Sequence, residues 1–187
     1  MDKKYWENYY SQNLAPIEPS PFAQSIELVG DTYLELGCGN GRDVLYFYKK
    51  YPQMNFTVID QCKAEVFNRD RKRLTFVKDD FTRPRFHPVR FDNIYSRFTL
   101  HSITEEQERS VLRWVYYNLS DNGRLFIEVR SNKDSFESDH YRRFIDFKSF
   151  KKRLETEWFE IVYAKEKKGF AKFKKENPTC IRVIAKL

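Results

Sequence analysis

The chain alternates short apolar runs of β type with stretches whose apolar residues recur at helical spacing. Thr32-Tyr33-Leu34-Glu35-Leu36 reads as a strand. Val44, Leu45, Phe47, Tyr48 and Tyr51 follow at 3.6-type spacing, so a helix begins near Gly41 and ends before Pro52. Phe56-Thr57-Val58-Ile59 predicts a second strand, the region from about Lys63 to Arg71 a helix, and Leu74-Thr75-Phe76-Val77 a third strand. Residues 82–90, with Pro84 and Pro88, read as loop, and Phe91-Asp92-Asn93-Ile94-Tyr95 as a fourth strand. Thr104 with Gln107 three residues on is a capping-box pattern. Val111, Leu112, Val115 and Leu119 supply the apolar face of that helix, and Asp121-Asn122-Gly123 stops it. Leu125-Phe126-Ile127-Glu128-Val129 is a fifth strand. Residues 131–146 show no clean period. A helix near 147–156, a strand near 158–163, a second irregular stretch at 165–179 and a final strand, Ile181-Arg182-Val183-Ile184-Ala185, complete the chain.

Strands and helices alternating in this way predict an α/β fold with a largely parallel sheet and helices on both faces. One domain is expected over residues 1–187, with residues 1–30 as an N-terminal helical cap. Long irregular stretches in a compact domain are usually lids or binding loops, so 131–146 and 165–179 are candidate substrate loops.

Composition narrows the class. The chain has 187 residues, 41% hydrophobic and 17% aromatic, enough to bury a core and too apolar for disorder. No run approaches roughly 18 uninterrupted apolar residues, and the N-terminus lacks the apolar segment of a signal peptide. A soluble cytoplasmic protein without a membrane partner is expected. Three cysteines with no C-x-x-C pair argue against a disulfide framework or zinc site, and three scattered histidines supply no metal-ligand spacing. The formal net charge of +7 favours anionic partners without choosing between nucleic acid and an acidic small molecule.

Candidate chemistry concentrates in Leu34-Glu35-Leu36-Gly37-Cys38-Gly39-Asn40-Gly41-Arg42-Asp43, where a strand turns into a helix. Glycines there permit a tight turn and close approach of a ligand to the backbone, and the helix start offers free N–H groups. Asp60 ends the second strand near the roughly 20-residue offset of an acid that grips ribose hydroxyls. Arg42 occupies the place of the third small residue of a dinucleotide fingerprint, which counts against NAD. Glu35 counts the same way, because a carboxylate repels a pyrophosphate but suits a sulfonium and an ammonium.

These residues resemble the class I S-adenosylmethionine-dependent methyltransferases along nearly the whole chain. Glu35-Leu36-Gly37-Cys38-Gly39-Asn40-Gly41 is similar to the family's first motif, Asp60 to its ribose-binding acid, and Lys78-Asp79-Asp80-Phe81 to the motif that meets the adenine. Asn122-Gly123 before the fifth strand also fits. The resemblance implies a three-layer, doubly wound, mostly parallel seven-stranded sheet with an antiparallel last strand, and S-adenosylmethionine as cofactor. It implies cofactor contacts from Glu35, Gly37, Cys38, Gly39, Arg42, Asp60, Gln61, Asp80, Phe81 and Ser96. The aromatic cluster Tyr5, Trp6, Tyr9 and Tyr10 reads either as helix-to-core packing or as the short N-terminal helix that closes over the cofactor in many members, with Tyr10 at its methionine end.

For the methyl acceptor, the region after the fourth strand, Ser96-Arg97-Phe98-Thr99-Leu100-His101-Ser102, faces the crevice where such sheets bind ligands. It lacks the D/N-P-P-Y/F motif of enzymes that methylate base amino groups. His101 reads as a general base or as a packing histidine, and His87 as an exposed loop residue. Arg97, Arg130, Arg142 and Arg143, with His140 and Tyr141, form a candidate anion-binding set, since arginine grips phosphate and carboxylate in a forked geometry. Ser96–His101 and His140–Phe144 resemble a bacterial subgroup of small-molecule O-methyltransferases acting on phosphonate- or phosphoramidate-type groups, including those of surface-polysaccharide (capsule) pathways. That resemblance implies an acidic phosphorus-containing acceptor. The alternatives are an RNA methyltransferase, suggested by Lys165, Lys167, Lys168, Lys172, Lys174 and Lys175, a non-catalytic nucleotide-binding module, and, with least support, an NAD-dependent oxidoreductase.

Overall fold

Seven strands form one sheet in the order β3-β2-β1-β4-β5-β7-β6. They are β1 (Thr32–Leu36), β2 (Asn55–Asp60), β3 (Leu74–Lys78), β4 (Phe91–Arg97), β5 (Leu119–Arg130), β6 (Glu160–Lys168) and β7 (Thr179–Lys186). Neighbours from β3 through β5 pair in parallel, and β7 runs antiparallel between β5 and β6. The computed structural model describes residues 3–11, 16–62, 64–83, 89–134, 140–173 and 176–187. Lys63, Pro84, His87, Pro88, Lys174 and Lys175 lie outside them. The mostly parallel seven-stranded sheet with an antiparallel last strand is the architecture expected from the motifs.

Alternation along the strands sends the two faces to different cores. Leu34 and Leu36, Ile94, Leu125 and Ile127, and Ile181 and Val183 pack with α4 (Glu105–Asn118) and α5 (Phe147–Thr156). Tyr33, Tyr95 and Phe126 pack with α2 (Pro21–Gln24) and α3 (Arg42–Lys50). On this second face the residues two positions further towards the strand ends of β1, β4 and β5 are charged: Glu35, Arg97 and Glu128. In register, Arg97 lies beside Glu128 and Glu128 beside Arg182. The same face is thus aromatic low in the sheet and ionic at its carboxyl edge.

Local chemistry explains the helix ends. Thr104 and Gln107 form the capping box in both directions, at 3.0 and 3.2 Å. α3 starts directly after Gly41, whose φ of 76° is open to glycine at little steric cost. α1 (Lys3–Ser11) carries the N-terminal aromatic cluster.

Three expectations are corrected. The helix expected over about Lys63–Arg71 is a single 3-10 turn, Glu65–Asn68. Phe67 is buried there, stacked on Phe76 at 4.8 Å and close enough to Gly41 that a Cβ on the glycine would come within 2.6 Å of it, so packing sets the backbone. The stretch 165–179 is not irregular throughout, because Lys165–Lys168 extend β6, and Gly169 at φ 90° turns the chain back towards β7. Finally, Asp121-Asn122-Gly123 does not stop α4, which ends at Asn118; these residues belong to β5. Among the described residues no helix is long and apolar enough to cross a membrane.

Candidate functional site

The loop between β1 and α3 holds Gly37, Gly39 and Gly41 at φ 72°, 54° and 76°, all left-handed. A Cβ on Gly37 would run into the Thr99 methyl and one on Gly39 into the Tyr10 hydroxyl. The loop therefore needs glycine for conformation and for space at once. Asp60 braces it: Oδ2 accepts from the Gly39 N–H at 2.8 Å and Oδ1 from the Cys62 N–H at 2.9 Å. Burial raises the Asp60 carboxyl above its ordinary range, and those two N–H groups hold the rise back. The Gln61 N–H adds to them, and because a carboxylate has about four acceptor sites, Asp60 keeps room for a ligand hydroxyl.

Glu35 is buried and accepts from the Tyr33 hydroxyl at 3.0 Å. Burial, then the nearby Asp43, pushes its carboxyl well above the usual range. A cation placed beside it would restore the charged form. Asp43 was not singled out by the sequence, yet it accepts from Ser20 N (2.7 Å), Ser20 Oγ (2.8 Å) and Tyr95 Oη (2.8 Å), tying the segment before α2 to the start of α3. Arg42 lies beside Asp43 at 3.6 Å. Cys38 and Cys62 are buried, with burial pushing the Cys62 thiol up to about 11. Asp80 accepts from Thr82 N and Thr82 Oγ1, Phe81 is buried, Gln61 is half-buried, and Ser96 hydrogen-bonds Thr99. A groove of about 1110 Å³ beside the loop is lined by Tyr10, Asn40, Arg42 and Cys62 among others. A glycine cradle that any side chain would fill, an acid with spare acceptor sites and a buried acid that a cation would ionise together fit S-adenosylmethionine.

α1 lies across this loop. Its rings form a continuous stack: Trp6 on Tyr10 at 6.0 Å, Trp6 edge-on to His140 at 4.9 Å, and Tyr5 stacked on His140 at 4.2 Å. The His140 ring meets Arg142 at 3.3 Å; arginine has only donors, so His140 Nε2 accepts. Arg142 is held below its ordinary pKa by burial and then by Arg130, which puts the two guanidiniums in one neighbourhood. Arg130 also pairs with Asp134 (2.8 Å) and with Glu176 (2.7 Å), the latter on a partly exposed side chain. Tyr9 feels both Arg42 and Arg130, so it stands between the glycine loop and the arginine pair, although burial and Tyr5 leave its net pKa raised.

Arg143 and Tyr141 do not join this group, and Arg97 stands at its edge, over the Phe98 ring that Arg130 also meets. Arg143 points to the buried Glu108 and to the carbonyls of Ile103 and Leu100, in an ion cluster shared with Arg153. Tyr141 is 54% exposed. Arg97 donates from Nε to Glu128 at 2.7 Å and lies over the Phe98 ring, itself at a left-handed φ of 58°. His101 is corrected as a general base. Its Nδ1 accepts the Arg130 backbone N–H at 3.1 Å, so the neutral ring carries its proton on Nε2 and offers no free basic nitrogen. Burial, then Arg142 and Arg130, holds its pKa well below 6.5.

Below about pH 6.5 the unfolded chain protonates His101 while the folded chain does not, so stability falls as pH falls. The expected loss between pH 7.5 and 5.5 is on the order of 1 kcal/mol. Urea unfolding at the two pH values should show that this part of the pH dependence disappears in His101→Gln. An unchanged dependence in the variant contradicts the assignment.

Residues 34–123 match the family model of a methyltransferase domain. No curated protein matches the chain. Among solved structures, an S-adenosylmethionine-dependent methyltransferase from Methanosarcina mazei aligns with TM-score 0.73 at 17% identity, covering 91% of this chain and 99% of the other. A TehB-like methyltransferase from Corynebacterium glutamicum aligns with TM-score 0.72 at 18% identity over 99% of both chains. The 1,6-didemethyltoxoflavin-N1-methyltransferase of Burkholderia thailandensis, solved with 1,6-didemethyltoxoflavin and S-adenosylhomocysteine, aligns with TM-score 0.66 at 18% identity, covering 97% and 76%. The matched segment contains the glycine loop, Asp60 and Asp80. Residues 34–123 thus carry a methyltransferase domain, the chain shares the fold of S-adenosylmethionine-dependent methyltransferases, and the glycine loop, Asp60 and Glu35 fit S-adenosylmethionine as the cofactor.

Proposed function

We propose that this enzyme methylates an already ionised oxygen of a small phosphate-, phosphonate- or phosphoramidate-type metabolite, such as a surface-polysaccharide precursor. The observation that carries this reading is the meeting of Arg130, Arg142 and His140 under the α1 aromatics, next to the glycine loop. Bound S-adenosylmethionine supplies a methyl group already activated by the sulfonium. The chain must then hold the nucleophile in line at about 3–3.5 Å and keep water out. A neutral hydroxyl would need a base, and both histidines here have a ring nitrogen occupied as an acceptor. An ionised oxygen needs none. Glu176, partly exposed and paired with Arg130, stands where an acceptor's charge would compete for the guanidinium. The Burkholderia neighbour, solved with bound 1,6-didemethyltoxoflavin and S-adenosylhomocysteine, supports a small acceptor. In the proposed roles Glu35, Gly37, Cys38, Gly39, Arg42, Asp60, Gln61, Asp80, Phe81, Ser96 and Tyr10 serve the cofactor.

Nucleic acid is less favoured. Lys165, Lys167 and Lys168 are exposed on β6, the edge strand of the sheet, where charge keeps another edge from pairing.

Arg142→Ala should raise the KM for a phosphonate or phosphate-monoester acceptor about 10- to 100-fold, the range of a lost charge-assisted hydrogen bond. S-adenosylhomocysteine affinity should stay within twofold. The measurement is methyl transfer to a panel of small phosphonates, phosphate monoesters, neutral alcohols and amines. Preference for neutral acceptors, or an unchanged KM in the variant, sinks the reading.

A further inference from the structure

Trp6 is the one member of the α1 cluster whose polar atom stands unexplained. Its indole Nε1 is buried and has no hydrogen-bond partner among the described residues. An indole N–H can only donate, and a buried donor without a partner is costly to keep. The position of Trp6 is specific: one face stacks with Tyr10, whose hydroxyl sits on Gly39 of the cofactor loop, and the ring meets His140, which takes a hydrogen bond from Arg142. Trp6 therefore bridges the methyl-donor side and the arginine side of the site. Tyr5 and Tyr9 pack edge-on against it.

We infer that Trp6 is an acceptor-binding residue whose indole N–H donates to an oxygen of the bound oxyanion, turning a second oxygen of the same group towards the methyl donor. The inference rests on the oxyanion reading proposed above and adds the residue that orients the group. Arg142 and Arg130 neutralise its charge, while the single directional donor on Trp6 fixes its rotation. The carboxylate at the methionine end of the cofactor has the same chemistry, so the two sources must be separated.

The test uses the full-length enzyme labelled with ¹⁵N, whose three indole N–H signals come from Trp6, Trp114 and Trp158. Trp6→Phe assigns the Trp6 signal. Methylphosphonate, added with S-adenosylhomocysteine already saturating, should move that signal downfield, and S-adenosylhomocysteine alone should not. By calorimetry, Trp6→Phe should bind methylphosphonate about 10-fold more weakly and S-adenosylhomocysteine unchanged, which also shows that the variant is folded. A signal that moves with S-adenosylhomocysteine alone and no further with methylphosphonate overturns the inference. So does equal methylphosphonate affinity in Trp6→Phe. In both cases the oxyanion reading survives if Arg142→Ala still weakens methylphosphonate binding. If the wild-type enzyme binds no methylphosphonate at millimolar concentration, that reading falls and the inference with it.

Discussion

Asp60→Ala should weaken binding of S-adenosylmethionine and S-adenosylhomocysteine at least about 100-fold, the largest effect expected of any single substitution in the site. Two losses combine. The carboxylate holds the Gly39 and Cys62 N–H groups, and so the left-handed course of the loop at Gly39. Its remaining acceptor capacity is what is proposed to take the ribose hydroxyls, a charged hydrogen bond contributing about 1.5–3 kcal/mol. Asp60→Asn is the sharper variant. It keeps shape and removes little volume, but its amide offers one oxygen to two backbone donors and turns an N–H₂ against one of them. Asn should therefore bind the cofactor nearly as badly as Ala. Calorimetry with S-adenosylhomocysteine decides it: affinity within threefold of wild type in Asp60→Ala removes Asp60 from the site.

The parts of the molecule that were legible in the sequence are those set by local chemistry. Thr104 and Gln107 lie three residues apart, and the capping box they form needs nothing else. The Gly37-Cys38-Gly39-Asn40-Gly41 turn follows from conformational needs at the positions themselves. Where a distant partner decides, local reading fails. The segment around Phe67 has helical composition, but the aromatic ring is required against Phe76 and Gly41, and the backbone gives way to a 3-10 turn. His101 and Arg143 looked like site chemistry because they are polar residues near the right strand end. Which atoms they satisfy, Arg130 N and Glu108, depends on β5 and α4 reaching them. For Trp6 and Tyr9 the sequence leaves two readings open, packing on the core or closing over the cofactor. Their place over the loop depends on how the N-terminal segment returns to Asp43 through Ser20. A further signal lies in the strands themselves: Glu128 and Arg182 interrupt otherwise apolar runs, and a charge in a buried strand position requires a charged neighbour across the sheet.

That neighbourhood supplies the second large effect. Glu128 is wholly buried, accepts from Arg97 Nε at 2.7 Å on one oxygen and from Arg182 Nε on the other, and stands in register between them. Arg182 in turn donates to the Phe170 carbonyl at 2.6 Å and stacks over the Phe170 and Phe22 rings. Glu128→Ala leaves the Arg97 and Arg182 guanidiniums buried without the carboxylate that stands between them. Removing one partner of a buried ion pair destabilises by about 3–5 kcal/mol. For a chain of this size each kcal/mol lowers Tm by roughly 2–4 °C, so a fall of roughly 6–20 °C is expected. Glu128→Gln keeps the volume and one acceptor oxygen, and should lose less than Ala but more than an exposed substitution such as Glu160→Gln, whose carboxylate meets only Lys186. The triple variant Arg97→Met, Glu128→Leu, Arg182→Met separates the charge from the packing. If the loss in Glu128→Ala is the stranded charge, the triple variant recovers most of the stability, because an apolar replacement of a buried ion cluster is often neutral or better. It should still methylate poorly, since Arg97 no longer flanks the Phe98 turn next to Arg130 at the carboxyl edge. Thermal unfolding of the four proteins reads the first claim and turnover of the triple variant the second. Full activity there would mean that the ion ladder serves the fold alone.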